Sequence, residues 1–125
     1  PSMAQSGADT PGFNSVAAVG MWLHYLGEDY DRSSTSPYAA PARAENFEDL
    51  PPAFIQTNGL DPLRDEGIEY GLKLLAAGIP VELYNCPGAY HGAPPLDPRT
   101  AGLSFQIYNA ALGAALNPDE PTSGF

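Results

Sequence analysis

Two residues in this chain have types and settings suited to proton transfer, Asp61 and His91. Asp61 follows the apolar run PAFIQTNGL, and His91 follows VELYNCPGAY. A carboxylate that accepts a hydrogen bond from one imidazole nitrogen fixes the tautomer and stabilises the imidazolium. The other nitrogen can then take the proton of a hydroxyl nucleophile. Asp before His is also one known chain order of a nucleophilic triad, in which a serine precedes both. Each residue has an ordinary use as well. Asp before Pro is a common turn or helix cap, and His91 between Tyr90 and Gly92 suits a surface loop. Asp61, Glu66 and His91 are all metal-ligand types, but their spacing matches no standard metal site.

The elements that must position this pair follow from periodicity. Residues 52–57 are apolar after two prolines and predict a strand. DPLRDEGIEYGLKLLAAG predicts a helix whose apolar stripe is Ile68, Leu72 and Leu75, widened by Tyr70 and Leu74. Pro62 suits its first turn, Asp65 and Glu66 complement its N-terminal dipole, and Gly78 with Pro80 ends it. Residues 81–86 alternate and predict a second strand. Strand, helix, strand with short connections is a βαβ unit with parallel strands. Ligands bind outside the carboxyl ends of such strands, and Asp61 and His91 both fall there.

Elsewhere, residues 1–12 read as loop and residues 14–26 as a helix with Val16, Val19, Trp22, Leu23 and Leu26 on one side. Asn14 or Ser15 suits its N-cap and Gly27 its C-cap. Residues 28–50 read as loop with a short helical turn near 42–47, and a last helix is expected over 101–116. Its apolar face would be Leu103, Ile107, Ala110, Ala111 and Leu116. The organisation is thus a connecting region over 1–50 with one helix, a βαβα part over 51–117 and a polar tail over 118–125. Two parallel strands alone are not a viable sheet, so the fold class is α/β with further strands outside this chain.

Composition narrows the partners. Fifteen Asp and Glu against five Lys and Arg give a net charge of −10. That argues against nucleic acid, whose phosphates need a basic surface, and against anionic lipid. No apolar stretch approaches the roughly 20 residues that span a bilayer. Cys86 is the only cysteine, which rules out an intrachain disulfide and fits a reducing, cytoplasmic setting. A chain that opens on Pro1 with no signal-like stretch reads as one that starts inside something longer, an opening that processing of a precursor would also give.

The stretch LPPAFIQTNGLDPLRDEGIEYGLKLLAAGIPVELYNCPGAYHG resembles the C-terminal part of the hormone-sensitive-lipase-like esterases of the α/β-hydrolase superfamily. DPLRDEG and PGAYHG at this distance are specific to that group. Bacterial and heroin-esterase-like carboxylesterases are the nearer flavour, and SPYAAPARAENFEDLPPAF matches their approach to the last two sheet strands. The resemblance implies a fold class of α/β-hydrolase, last two parallel strands with flanking helices, incomplete without its N-terminal part. It implies Asp61 as the triad acid and His91 as the base, with Asp65 supporting the helix start and the His loop. It implies a small ester substrate and no cofactor or metal. It also places the first fifty residues in a cap, where Phe13, Met21, Trp22 and Tyr25 would line a substrate pocket; as a stripe at helical spacing they also read as core.

The departure from the family is the missing front. Members carry a His-Gly-Gly-Gly type oxyanion loop and a Gly-x-Ser-x-Gly nucleophile turn. Neither occurs here. Ser2, Ser6, Ser15, Ser33, Ser34, Ser36, Ser104 and Ser123 all lack flanking glycines at that spacing. The expected partner is therefore an N-terminal remainder that bears the nucleophile. A homodimer through the Val81–Cys86 edge and the last helix is a further expectation. A degenerate hydrolase fragment used as a binding module, and an unrelated acidic α/β binding domain, are the competing readings. His24 is expected to face solvent, Cys86 to be buried, and Ser104 to be core or solvent.

Overall fold

A computed structural model describes residues 2–118. All of the expected polar tail except its first residue lies outside the described residues. The elements are helix α1 (Ser2–Gln5), helix α2 (Ser15–Leu26), strand β1 (Ala53–Asn58), helix α3 (Arg64–Ala76), strand β2 (Val81–Cys86) and helix α4 (Pro98–Leu116). β1 and β2 pair in parallel, with Ala53 opposite Val81 and Asn58 opposite Cys86. The βαβ unit is therefore present, and the sheet has two strands among the described residues.

Alternation along the strands sends side chains to two layers. Ile55, Thr57, Val81 and Leu83 lie towards α3. Phe54 and Gln56 lie towards α4, where the Phe54 and Tyr108 ring centroids are 6.4 Å apart. Gln56 Nε2 donates to Ser104 Oγ at 3.2 Å, and Ser104 is buried. Cys86 is fully buried, and His24 is exposed.

The expected apolar stripe of α3 holds at Leu74, which is 2% exposed, and is corrected at two positions. Leu72 and Leu75 are 57% and 49% exposed, while Gly71 and Leu74 are the buried residues of the helix. The sheet sits against the glycines because they have no Cβ to hold it off. A Cβ on Gly67 would stand 2.8 Å from Thr57 Cγ2, and one on Gly71 would stand 2.8 Å from Leu83 Cδ1. Thr57 is buried and β-branched, and its Oγ1 is bonded to Asn85 Oδ1 at 3.0 Å. Gly67→Ala in the full-length protein is therefore expected to overpack by roughly 1–3 kcal/mol. Removing a helical glycine returns only about 1 kcal/mol. The result should be a lower urea midpoint, with a smaller loss for Gly71→Ala, whose close contacts are the far ends of the longer Leu83 and Ile55 side chains. A Gly67→Ala midpoint at or above wild type would show that Thr57 gives way without cost.

The end of α3 is the one the sequence predicts. Gly78, at φ 81°, donates to Leu75 O at 3.0 Å and Ile79 donates to Leu74 O at 3.0 Å, the bond pair of a Schellman stop. Its start differs. Pro62 lies in the turn before the helix rather than in its first turn. α4 begins three residues before the expected 101, because Asp97 caps it. The Asp97 carboxylate accepts from Thr100 N at 2.9 Å and from Thr100 Oγ1 at 2.6 Å, and Pro98 fits the first helical position. Thr100's hydroxyl, then its amide, hold that carboxyl below the usual range.

Two further expectations fail for tertiary reasons. Residues 1–12 contain α1, tied down far along the chain. Ser2 Oγ donates to Pro62 O at 2.7 Å and accepts from Asp65 N at 3.1 Å. The region before β1 therefore holds two helices rather than one. The helical turn expected near 42–47 is met in part by the 3-10 turn at Pro41–Arg43, and a further one lies at Arg32–Ser34. The apolar faces assigned to α2 and α4 are also not covered. Ala18 is the buried residue of α2 and Ser104 of α4, while Val16, Leu103 and Leu116 are 64%, 47% and 70% exposed. A layered α/β arrangement buries such faces, so this chain is part of one. No helix among the described residues is long and apolar enough to cross a membrane.

Candidate active site

Parallel pairing brings the loops after β1 and β2 to one end of the sheet. His91 Nδ1 lies 2.8 Å from Asp61 Oδ2. Asp61 is 8% exposed, whereas the His91 side chain is 42% exposed. A carboxylate in that setting keeps its acceptor oxygens for fixed partners. Its second oxygen, Oδ1, accepts from Leu63 N at 2.8 Å. The two sequence readings of Asp61, turn former and histidine partner, are therefore both true at once, one oxygen each.

The turn that presents Asp61 is braced on several sides. Asp61 N donates to Asn58 O at 3.0 Å. Arg64 Nη1 donates to Gly59 O at 2.8 Å, and Arg64 Nε bonds Asp65 Oδ1 at 2.8 Å. Arg64, and after it the Ser2 amide, hold the Asp65 carboxyl below the usual carboxylate range. Asp65 thus supports the helix start through α1 and Arg64. Gly59 N donates to Cys86 O at 2.7 Å, and Leu60 N to Ala89 O at 2.9 Å, which laces the two loops together. Gly88 and Gly92, at φ 70° and 66°, let the second loop reverse around His91.

Of the four pocket candidates, Phe13 meets the pair. Its ring centroid is 4.8 Å from that of His91, tilted by 40°. The other three lie on α2. Trp22 pairs with Tyr25 at 6.3 Å and lines a cavity of about 550 Å³ with Val19, Tyr30, Arg32 and Glu66. That cavity includes neither Asp61 nor His91. Met21 and Tyr25 are 40% and 64% exposed. A second cavity, of about 390 Å³, is lined by Asp61, Tyr90, Arg64 and Ser6. No group of three or more His, Cys, Asp and Glu among the described residues is placed to hold a metal ion.

Sequence reasoning missed the bracing by Ser2, Asn58 and Arg64. Asn58 carried a signal, a polar residue closing an apolar strand before Gly59. Ser2 carried none, since its partners are about sixty positions away.

A family model described as an alpha/beta hydrolase fold matches residues 1–94. Esterase LipI of Mycobacterium tuberculosis is 48% identical over 94 residues, which is 74% of this chain and 28% of that protein. Among solved structures, a bacterial heroin esterase superposes with a TM-score of 0.70 at 43% identity. The match covers 91% of this chain and 34% of that one. Esterase LipW from Mycobacterium marinum gives a TM-score of 0.79 at 36% identity, over 92% of this chain and 36% of that one. The chain therefore spans about a third of the length of the relatives it matches. With a βαβ unit of the right topology and a family match over three quarters of its length, this chain belongs to the α/β-hydrolase family.

Proposed function

We propose that this chain is the C-terminal part of a serine carboxylesterase and supplies the base and the acid of its triad. The observation that carries this is the 2.8 Å bond between His91 Nδ1 and the buried Asp61 carboxylate, with the His91 side chain 42% exposed. With Nδ1 held by Asp61, Nε2 is the nitrogen assigned to the reacting group in this reading. The esterases among its relatives support carboxylic esters as the substrate class.

In the proposed reaction a serine outside these 125 residues attacks the ester carbonyl. His91 Nε2 accepts the hydroxyl proton as the Oγ–carbon bond forms. Asp61 keeps the other nitrogen protonated and stabilises the imidazolium. Backbone amides of the oxyanion loop, also outside this chain, hold the tetrahedral anion; each such donor is worth roughly 10²–10³-fold. The imidazolium returns its proton to the leaving alcohol, and the ester bond breaks. A water, deprotonated by the same nitrogen, then adds to the acyl carbon; the acyl–Oγ bond breaks as the imidazolium returns that proton to the serine oxygen, and the acid leaves.

Asp61 and His91 with no nucleophile turn should be inert alone. The isolated 125-residue chain is expected to hydrolyse p-nitrophenyl acetate no faster than an equal concentration of imidazole, and the full-length protein to turn it over. Turnover by the isolated chain well above imidazole would place a nucleophile inside it. A full-length protein with no turnover on any short ester would favour the binding-module reading.

A further inference from the structure

We propose that Asn58 is a positioning residue for the triad base, joining the loop that carries Asp61 to the loop that carries His91. The inference rests on the esterase reading above. Asn58 is the last residue of β1 and is half-buried. Its side-chain Nδ2 donates to Tyr90 O at 2.9 Å, one residue before His91. Its backbone oxygen accepts from Asp61 N at 3.0 Å. One residue therefore bonds Asp61 itself and the residue before His91, through groups that a substitution can separate. Replacing the side chain removes the tie to the His91 loop and leaves the tie to Asp61.

The side-chain bond has work to do because the His91 loop is otherwise loosely held at its tip. Residues 91–94 are exposed. The next backbone tie upstream is Leu60 N to Ala89 O, two residues before His91. Tyr90 O is also the acceptor for Ala93 N at 3.2 Å, so the Asn58 amide anchors the carbonyl around which the loop turns. A base displaced by about 1 Å can lose on the order of 10²-fold in rate. One hydrogen bond among several holding this loop should account for less. The inferred effect of its loss is roughly tenfold in kcat, with KM changed by less than about twofold because Asn58 binds no substrate.

The test uses the full-length enzyme and p-nitrophenyl acetate. Asn58→Leu keeps nearly the same shape and removes the donor, and Asn58→Ala is the second variant should leucine disturb the fold. Two readouts are taken beside thermal melting: the kcat and KM split, and the low-field proton resonance of His91 Nδ1–H. Asp61→Asn and His91→Ala assign that resonance. A roughly tenfold loss in kcat, with KM held and the resonance broadened by exchange with water, is the expected result. Wild-type kcat in both variants overturns the proposal. So does a loss of kcat that merely follows a lower melting temperature while the resonance stays sharp, since Asn58 would then only pack the strand end. Full activity in His91→Ala would instead overturn the triad reading itself.

Discussion

His91→Ala in the full-length protein is expected to remove nearly all ester hydrolysis, with a fall in kcat on the order of 10⁶-fold. In the proposed reaction the imidazole both takes the nucleophile's proton and returns it to the leaving alcohol. Its removal leaves only binding and oxyanion stabilisation, which retain a small residual rate. The fold should scarcely notice. The His91 side chain is 42% exposed, and its ring touches Phe13 and Asp61. Melting temperature within a few degrees of wild type, with kcat collapsed, is the expected pair of results. Near-normal kcat would return His91 to the part of an ordinary loop residue.

Asp61→Asn should lower kcat by about 10⁴-fold, the effect known for the same change in a serine triad. The structure explains why the damage should fall on rate rather than stability. Asparagine keeps an oxygen in the Oδ1 position, so Leu63 N retains its 2.8 Å acceptor and the start of α3 survives. The amide nitrogen then faces His91 Nδ1, where the carboxylate oxygen stood. Two donors cannot share that position, so the imidazole must carry its proton on Nε2, the wrong nitrogen for a base. Asp61→Ala should lose the rate and, in addition, about 1 kcal/mol of stability through the unpartnered Leu63 amide. Steady-state kinetics with urea unfolding of both variants separates the two roles. Wild-type rate and wild-type stability in both variants would mean that neither oxygen acts as described.

Much of this was legible in the chain itself. The strands at Ala53–Asn58 and Val81–Cys86, and helix α3 between them, follow from runs of apolar residues and from the stop at Gly78. Asp61 and His91 stood out because both lie just past a strand end. These are local signals: the period of side-chain polarity depends on a residue's own element, and the turn at Gly78 depends on its own φ.

What the tertiary structure decided was everything that depends on a second element. It put Gly67 and Gly71 of α3 against the sheet and left Leu72 and Leu75 exposed, because close approach is set by Thr57 and Leu83 on strands that periodicity cannot see. It set Phe13 against His91 and left Trp22, Met21 and Tyr25 on another surface, although all four share one short stretch of sequence. It drew Ser2 onto Pro62 and Asp65, and Asn58 onto the carbonyl beside His91. Side-chain type and spacing establish which groups could do the chemistry. Only the path of the chain in space, with contacts across thirty to sixty residues, establishes which of them meet.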